Sequence, residues 1–146
     1  MDHPTIHRQF TPHHVARGEK ELSMPTPTVN ALAIMRSAIG ASSWLMPITV
    51  GKLFGIDASK DVSAALYLRL GGTRDFALAA GPLVTNGLHR RKMLGVAAAC
   101  DVADIVATGI ARRRGKISSL GAVLMVSASL ACLGSAAKAI TEKGPA

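Results

Sequence analysis

Five ionisable side chains, Arg36, Arg74, Asp75, Asp101 and Asp104, fall inside stretches that are otherwise almost wholly apolar. At bilayer depth a charge is costly and faces a partner, a cavity or water. Asp101 and Asp104 are three residues apart, so a helix places both on one face, and Thr108 continues that face. Two carboxylates this close in a low dielectric do not both stay ionised cheaply without cations beside them. Arg36 and Arg74 are the natural partners, because a guanidinium matches a carboxylate as a planar fork and keeps its proton. Two arginines against three aspartates leave one carboxyl unsettled, either protonated or answering Arg69. Such a carboxyl is a candidate general acid or base. Asp75, Asp101 and Asp104 are therefore the candidate catalytic groups, and Arg36, Arg69 and Arg74 the candidate substrate-binding or ion-pair groups. Two other readings stay open: interhelical salt bridges that fix bundle register, and an ion or proton path.

Four apolar runs must position these groups, at about 29–50, 62–84, 93–111 and 117–140. Each has roughly the 20 residues needed to cross a bilayer core at ~1.5 Å per residue. Ala-rich stretches such as Ala97-Ala98-Ala99 favour helix over strand. Pro47 is expected to be tolerated near the far end of the first run. The short links carry turn residues (Gly55-Ile56-Asp57, Asn86-Gly87, Arg114-Gly115-Lys116) and force neighbouring helices antiparallel. Measured inward from one face at that rise, Arg36 lies roughly 10 Å deep, Arg74 and Asp75 about 14 Å, and Asp101 and Asp104 about 12 to 16 Å. All five fit one layer near the midplane. Arg69 sits higher, roughly 10 Å from the opposite face. Small residues at four-residue spacing, Ala77 with Gly81 and Ala131 with Ser135, let backbones approach closely. Gly71-Gly72 serves the same end, or bends the helix, or admits a ligand.

Composition agrees with an all-α membrane protein. Of 146 residues, 49% are hydrophobic and only 18% charged, below the usual quarter for a soluble domain. A soluble bundle would need a polar face on every helix, and the fourth run offers only Ser, Gly and the terminal Lys138. The net charge of +8 gathers at Arg90-Arg91-Lys92 and at Arg112 to Lys116, in links where lipid headgroups would meet it. No aromatic is interleaved there to stack a base, so nucleic acid is not an expected partner. Trp44 and Tyr67 form at most a thin interfacial belt.

Residues 1–28 are polar, with four prolines and four histidines, and read as a disordered tail; 141–146 form a short C-terminal tail. Asp2, Glu19 and Glu21 argue against a mitochondrial presequence, and no apolar core makes a signal peptide. Met1-Asp2-His3 is a copper- or nickel-chelating arrangement when the amine is free, but in such a tail we read it as incidental and expect no metal site. Cys100 and Cys132 have no metal spacing and read as packing residues. No phosphate loop, nucleophile elbow or dinucleotide fingerprint is present, and no cofactor is expected.

Arg69-Leu70-Gly71-Gly72-Thr73-Arg74-Asp75, the Asp101-Val102-Ala103-Asp104 pair and the Leu53-Phe54-Gly55 turn resemble a DoxX-like family of small four-helix integral membrane proteins of unknown function. The resemblance covers about residues 30–140 and implies a four-transmembrane-helix antiparallel bundle. It implies almost nothing about activity.

The first functional expectation is an accessory or scaffold component of a membrane, working with the lipid bilayer and a protein partner or a second copy of itself. The alternative is a membrane-embedded acid–base enzyme, of isomerase or cyclase type, acting on a lipophilic small molecule such as a secondary metabolite. A transporter subunit is third, since four short helices leave little room for alternating access. The enzyme requires a cavity at the charged layer, the scaffold a dry core with every charge paired, and the transporter a water path to both faces. Both termini are expected in the cytosol.

Overall fold

A computed structural model of the chain describes residues 24–142. The histidine-rich segment, with its candidate chelating amino terminus, and residues 143–146 lie outside them. Within the described part, Thr26 accepts a hydrogen bond from the Val29 amide and Pro27 occupies the first helical turn, opening α1 (Pro27–Leu45). Pro suits that turn because its missing amide would be unpaired there in any case. Two residues expected in the tail are therefore helical.

The first apolar run is not one helix. Pro47 has no amide to donate, its ring clashes with the carbonyl four residues back, and it pushes Met46 out of helical geometry to φ −127°, ψ 52°. The chain turns by 107° and Pro47 starts a second helix, α2 (Pro47–Leu53). Among the described residues, five helices thus stand where four were expected. Gly55, at φ +77°, ends α2 and sits against Ser118, whose amide donates to the Phe54 carbonyl (3.3 Å).

Asp61 caps α3 (Val62–Val84) by accepting from the Ser63 and Ala64 amides at 2.8 and 3.3 Å. The third long helix, α4 (Gly87–Arg113), begins six residues earlier than its apolar run. Arg90, Arg91 and Lys92 are therefore helical rather than part of a link. Gly115, at φ +66°, makes the next turn, and Ser118 caps α5 (Ser119–Thr141) through the Gly121 amide.

The four long helices pack as a ring, α1 along α3, α3 on α4, α4 along α5 and α5 on α1. At one end, α2 and the loop after it meet the α4–α5 turn. At the other, Thr28 donates to the Glu142 carboxylate (2.5 Å) and Arg90 donates to the carbonyls of Met24, Pro82 and Thr85. Both ends of the described chain therefore lie at the same end of the bundle. Backbones touch where Gly40 of α1 meets Gly72 of α3: a Cβ on Gly72 would stand 2.6 Å from the Gly40 carbonyl oxygen. Gly71, beside it, touches nothing within 4 Å of that position.

The buried core is small and built from Val29, Leu32, Leu94, Cys132, Ala136 and Ala139. Ile34, Leu45, Val62 and Val84 all face outward, while Arg36 and Asp101 are buried. An apolar exterior around buried charge is the inverse of a water-soluble surface. The helices α4 and α5 are long and apolar enough to cross a membrane, and only 22% and 17% of their apolar stretches are buried within the fold. Counting the bent α1–α2 pair adds a third such unit. Arg69, Arg74 and Asp75 keep α3 outside that class on composition. The described residues are all-helical, and two of their helices are built to cross a membrane.

Candidate functional site

Arg36 is the central residue of α1, Arg74 and Asp75 follow the centre of α3, and Asp101 and Asp104 follow that of α4. The expected common level holds, and the five side chains join into one row across three helices. Asp101 Oδ2 accepts from Arg36 Nη2 at 2.6 Å, and Arg36 Nη1 lies 3.6 Å from Asp75 Oδ1. That same oxygen accepts from Arg74 Nη2 at 3.5 Å. Arg74 then grips Asp104 with both prongs of its fork, at 2.9 and 2.8 Å. The order is carboxylate, guanidinium, carboxylate, guanidinium, carboxylate.

The row is uneven. Arg36 is 1% exposed and Asp101 3%, whereas the Arg74 and Asp104 side chains are 42% and 29% exposed. Asp75, in the middle, approaches its two cations no closer than 3.5 Å, so each arginine is held mainly by the aspartate on its other side. Arg36 Nε is buried and has no hydrogen-bond partner. Each buried polar group left in that state costs roughly 1–3 kcal/mol, and more when charged.

All five residues line a cavity of about 540 Å³, within the range of small-molecule sites. It lies between α3 and α5, which the ring of packed pairs does not join, and α1 and α4 back it. Its walls include Ile39, Tyr67, Leu68, Met125 and Ala128. Ser43 and Ser129 also line it, as does Asp61 of the loop before α3. Sequence reasoning missed these groups. The helical stripe Ala64, Leu68, Gly71, Asp75 on α3 carried the one available hint, since a glycine and an aspartate share a face with bulky apolar residues.

Arg69 stands apart from the layer. Its Nε donates to the Trp44 carbonyl at 3.3 Å on the exposed side of α3, and it answers none of the three aspartates. Thr108 is buried on the face of Asp101 and Asp104, as expected, with its hydroxyl 3.9 Å from Met125 Sδ. Cys100 and Cys132 are free thiols, and Cys132 lines the cavity. Among the described residues no group of three His, Cys, Asp or Glu is arranged to hold a metal ion.

Comparison of the chain with protein-family models, curated proteins and solved structures gives no match.

Proposed function

We propose that the chain is a four-span membrane protein, the bent α1–α2 pair counting as one span, that binds a lipophilic small molecule in the cavity and moves a proton on it. The cavity at the charged layer carries this reading. A scaffold role asks for a dry core, whereas here a cavity of about 540 Å³ is lined by Asp75 and the other four charged residues of the row.

Asp75 is the carboxylate least tightly held by its cations, so it is the proton-moving group. Asp101 and Asp104 are gripped by Arg36 and Arg74 and act by positioning those arginines. A proton taken from one atom of the ligand and returned to another is an isomerisation, which needs no oxidant or co-reactant. Arg36 is placed to hold an oxygen on which negative charge grows during that transfer.

The test compares lipophilic metabolites, by mass spectrometry, from cells making the wild type, Asp75→Asn or Ala128→Phe at matched membrane levels. Ala128→Phe fills the cavity and leaves the charged row intact. A metabolite that changes in both variants is the expected result. No change in either at equal protein level would return the protein to the scaffold reading.

A further inference from the structure

The charged row holds two matched pairs and one odd member. Arg36 is paired with Asp101 at 2.6 Å, and Arg74 with Asp104 at 2.9 and 2.8 Å. Asp75 has no cation of its own. Both arginines approach the same oxygen, Oδ1, and neither comes nearer than 3.5 Å. Its second oxygen, Oδ2, accepts no hydrogen bond from any of the described residues. The Asp75 side chain is only 10% exposed, and it lines the cavity. Over the whole wall four aspartates, Asp61, Asp75, Asp101 and Asp104, face two arginines, and no lysine or histidine adds a charge. Arg69 is turned away to the Trp44 carbonyl. A carboxylate in such a site is costly unless a positive charge and hydrogen-bond donors answer it.

Resting on the reading of this cavity as a ligand site, though not on the proton step, we infer that its ligand is a lipophilic amine, bound as the ammonium ion and donating an N–H to Asp75 Oδ2. One such cation matches the third aspartate of the row with a third positive charge. A neutral alcohol can donate to Oδ2 but leaves the odd negative charge in place. A carboxylate supplies neither charge nor donor and adds a further anion to the wall. The cavity also sets the form of the rest of the ligand. It follows α3 from Ser63 to Asp75, about 18 Å at ~1.5 Å per residue. Between those ends the wall is apolar, with Ala64 and Leu68 on α3 and Met125 and Ala128 on α5. A hydrocarbon chain laid along that wall brings its ammonium to the charged end.

The experiment compares three probes of one chain length, dodecylamine, 1-dodecanol and dodecanoic acid. Each is brought to the same measured mole fraction in phosphatidylcholine nanodiscs holding the full chain, so that partitioning into lipid cancels. Adducts are read by native mass spectrometry. The amine adduct should exceed each of the others by about tenfold, the worth of one charge-assisted hydrogen bond. Asp75→Asn keeps the shape of the side chain and removes its charge, and it should erase that lead while leaving the 1-dodecanol adduct within about twofold. Ala128→Phe should remove every adduct. If Asp75→Asn does not accumulate, the wild-type ranking together with Ala128→Phe decides. Equal amine and alcohol adducts, a lead for the alcohol or the acid, or an amine lead that Asp75→Asn preserves would overturn the ammonium, and loss of those adducts in Ala128→Phe would keep the cavity as a ligand site. Absence of adducts, or adducts that survive Ala128→Phe, would overturn both.

Discussion

At the scale of single residues, the two ends of the charged row should respond differently to the same chemical change. Asp101→Asn leaves Arg36, 1% exposed, without its short ionic partner, and removal of one member of a buried pair costs on the order of 3–5 kcal/mol. Asp104→Asn leaves Arg74, 42% exposed on the cavity wall, with Asp75 still 3.5 Å away, so its loss is smaller. Thermal unfolding of the purified variants should therefore rank Asp101→Asn well below Asp104→Asn. Equal midpoints would mean that the row is not differentially buried. The common level of the five charges was legible from residue counts alone, because helical rise converts sequence separation into depth. Who pairs with whom was not. Pairing depends on the rotation of each helix about its own axis, and the alternation of neighbours along the row follows from Arg74 and Asp75 leaving α3 in different directions.

At the scale of helices, Gly71 and Gly72 separate two roles that the sequence leaves together. Gly72→Ala puts a Cβ 2.6 Å from a backbone oxygen, so α1 and α3 must move apart, an overpacking cost of typically 1–3 kcal/mol. Gly71→Ala meets nothing and should leave the unfolding temperature within a degree or two while narrowing the cavity. Similar losses for both would refute the close approach. The bounds of α3 were readable because Asp61 and the Thr85-Asn86-Gly87 break mark them chemically. The break before Pro47 was not readable from hydropathy, which sums apolarity and does not register the clash of a pyrrolidine ring with the preceding turn. The cavity was hidden for a related reason: it exists because α3 and α5 do not pack together, and that is a property of a pair of helices rather than of either one.

At the scale of the molecule, the chain closes on itself at one end, where Thr28 of α1 reaches Glu142 after α5 and Lys138 stands 3.8 Å from the same carboxylate. The Thr28 hydrogen bond holds the Glu142 carboxyl below its ordinary range. A group whose pKa is lowered by folding stabilises the fold above its unfolded value, about 4.3, and loses that contribution as pH falls through the folded value. Glu142→Gln should therefore lower the unfolding temperature at neutral pH, with the gap to wild type closing as pH drops below about 4.3. A gap that stays constant on acidification would show that ionised Glu142 does not hold the two helix ends.

On the four-span reading proposed above, the bend at Pro47 also decides what thickness of bilayer suits the protein. The helix α1 is about 28 Å long, whereas α3 and α5 reach about 34 Å and α4 about 40 Å. Long helices fit a thin bilayer by tilting, but a short one cannot stretch, and α2, turned by 107°, adds little depth. α1 therefore sets an upper limit close to the ~30 Å of an ordinary hydrocarbon core. Reconstituted across phosphatidylcholines of increasing acyl length, the bundle should be most heat-stable in the shorter chains and lose stability as the chains lengthen; a steady rise with acyl length would contradict this limit. In a cell, one proline would then bias the protein toward the thinner of the membranes open to it.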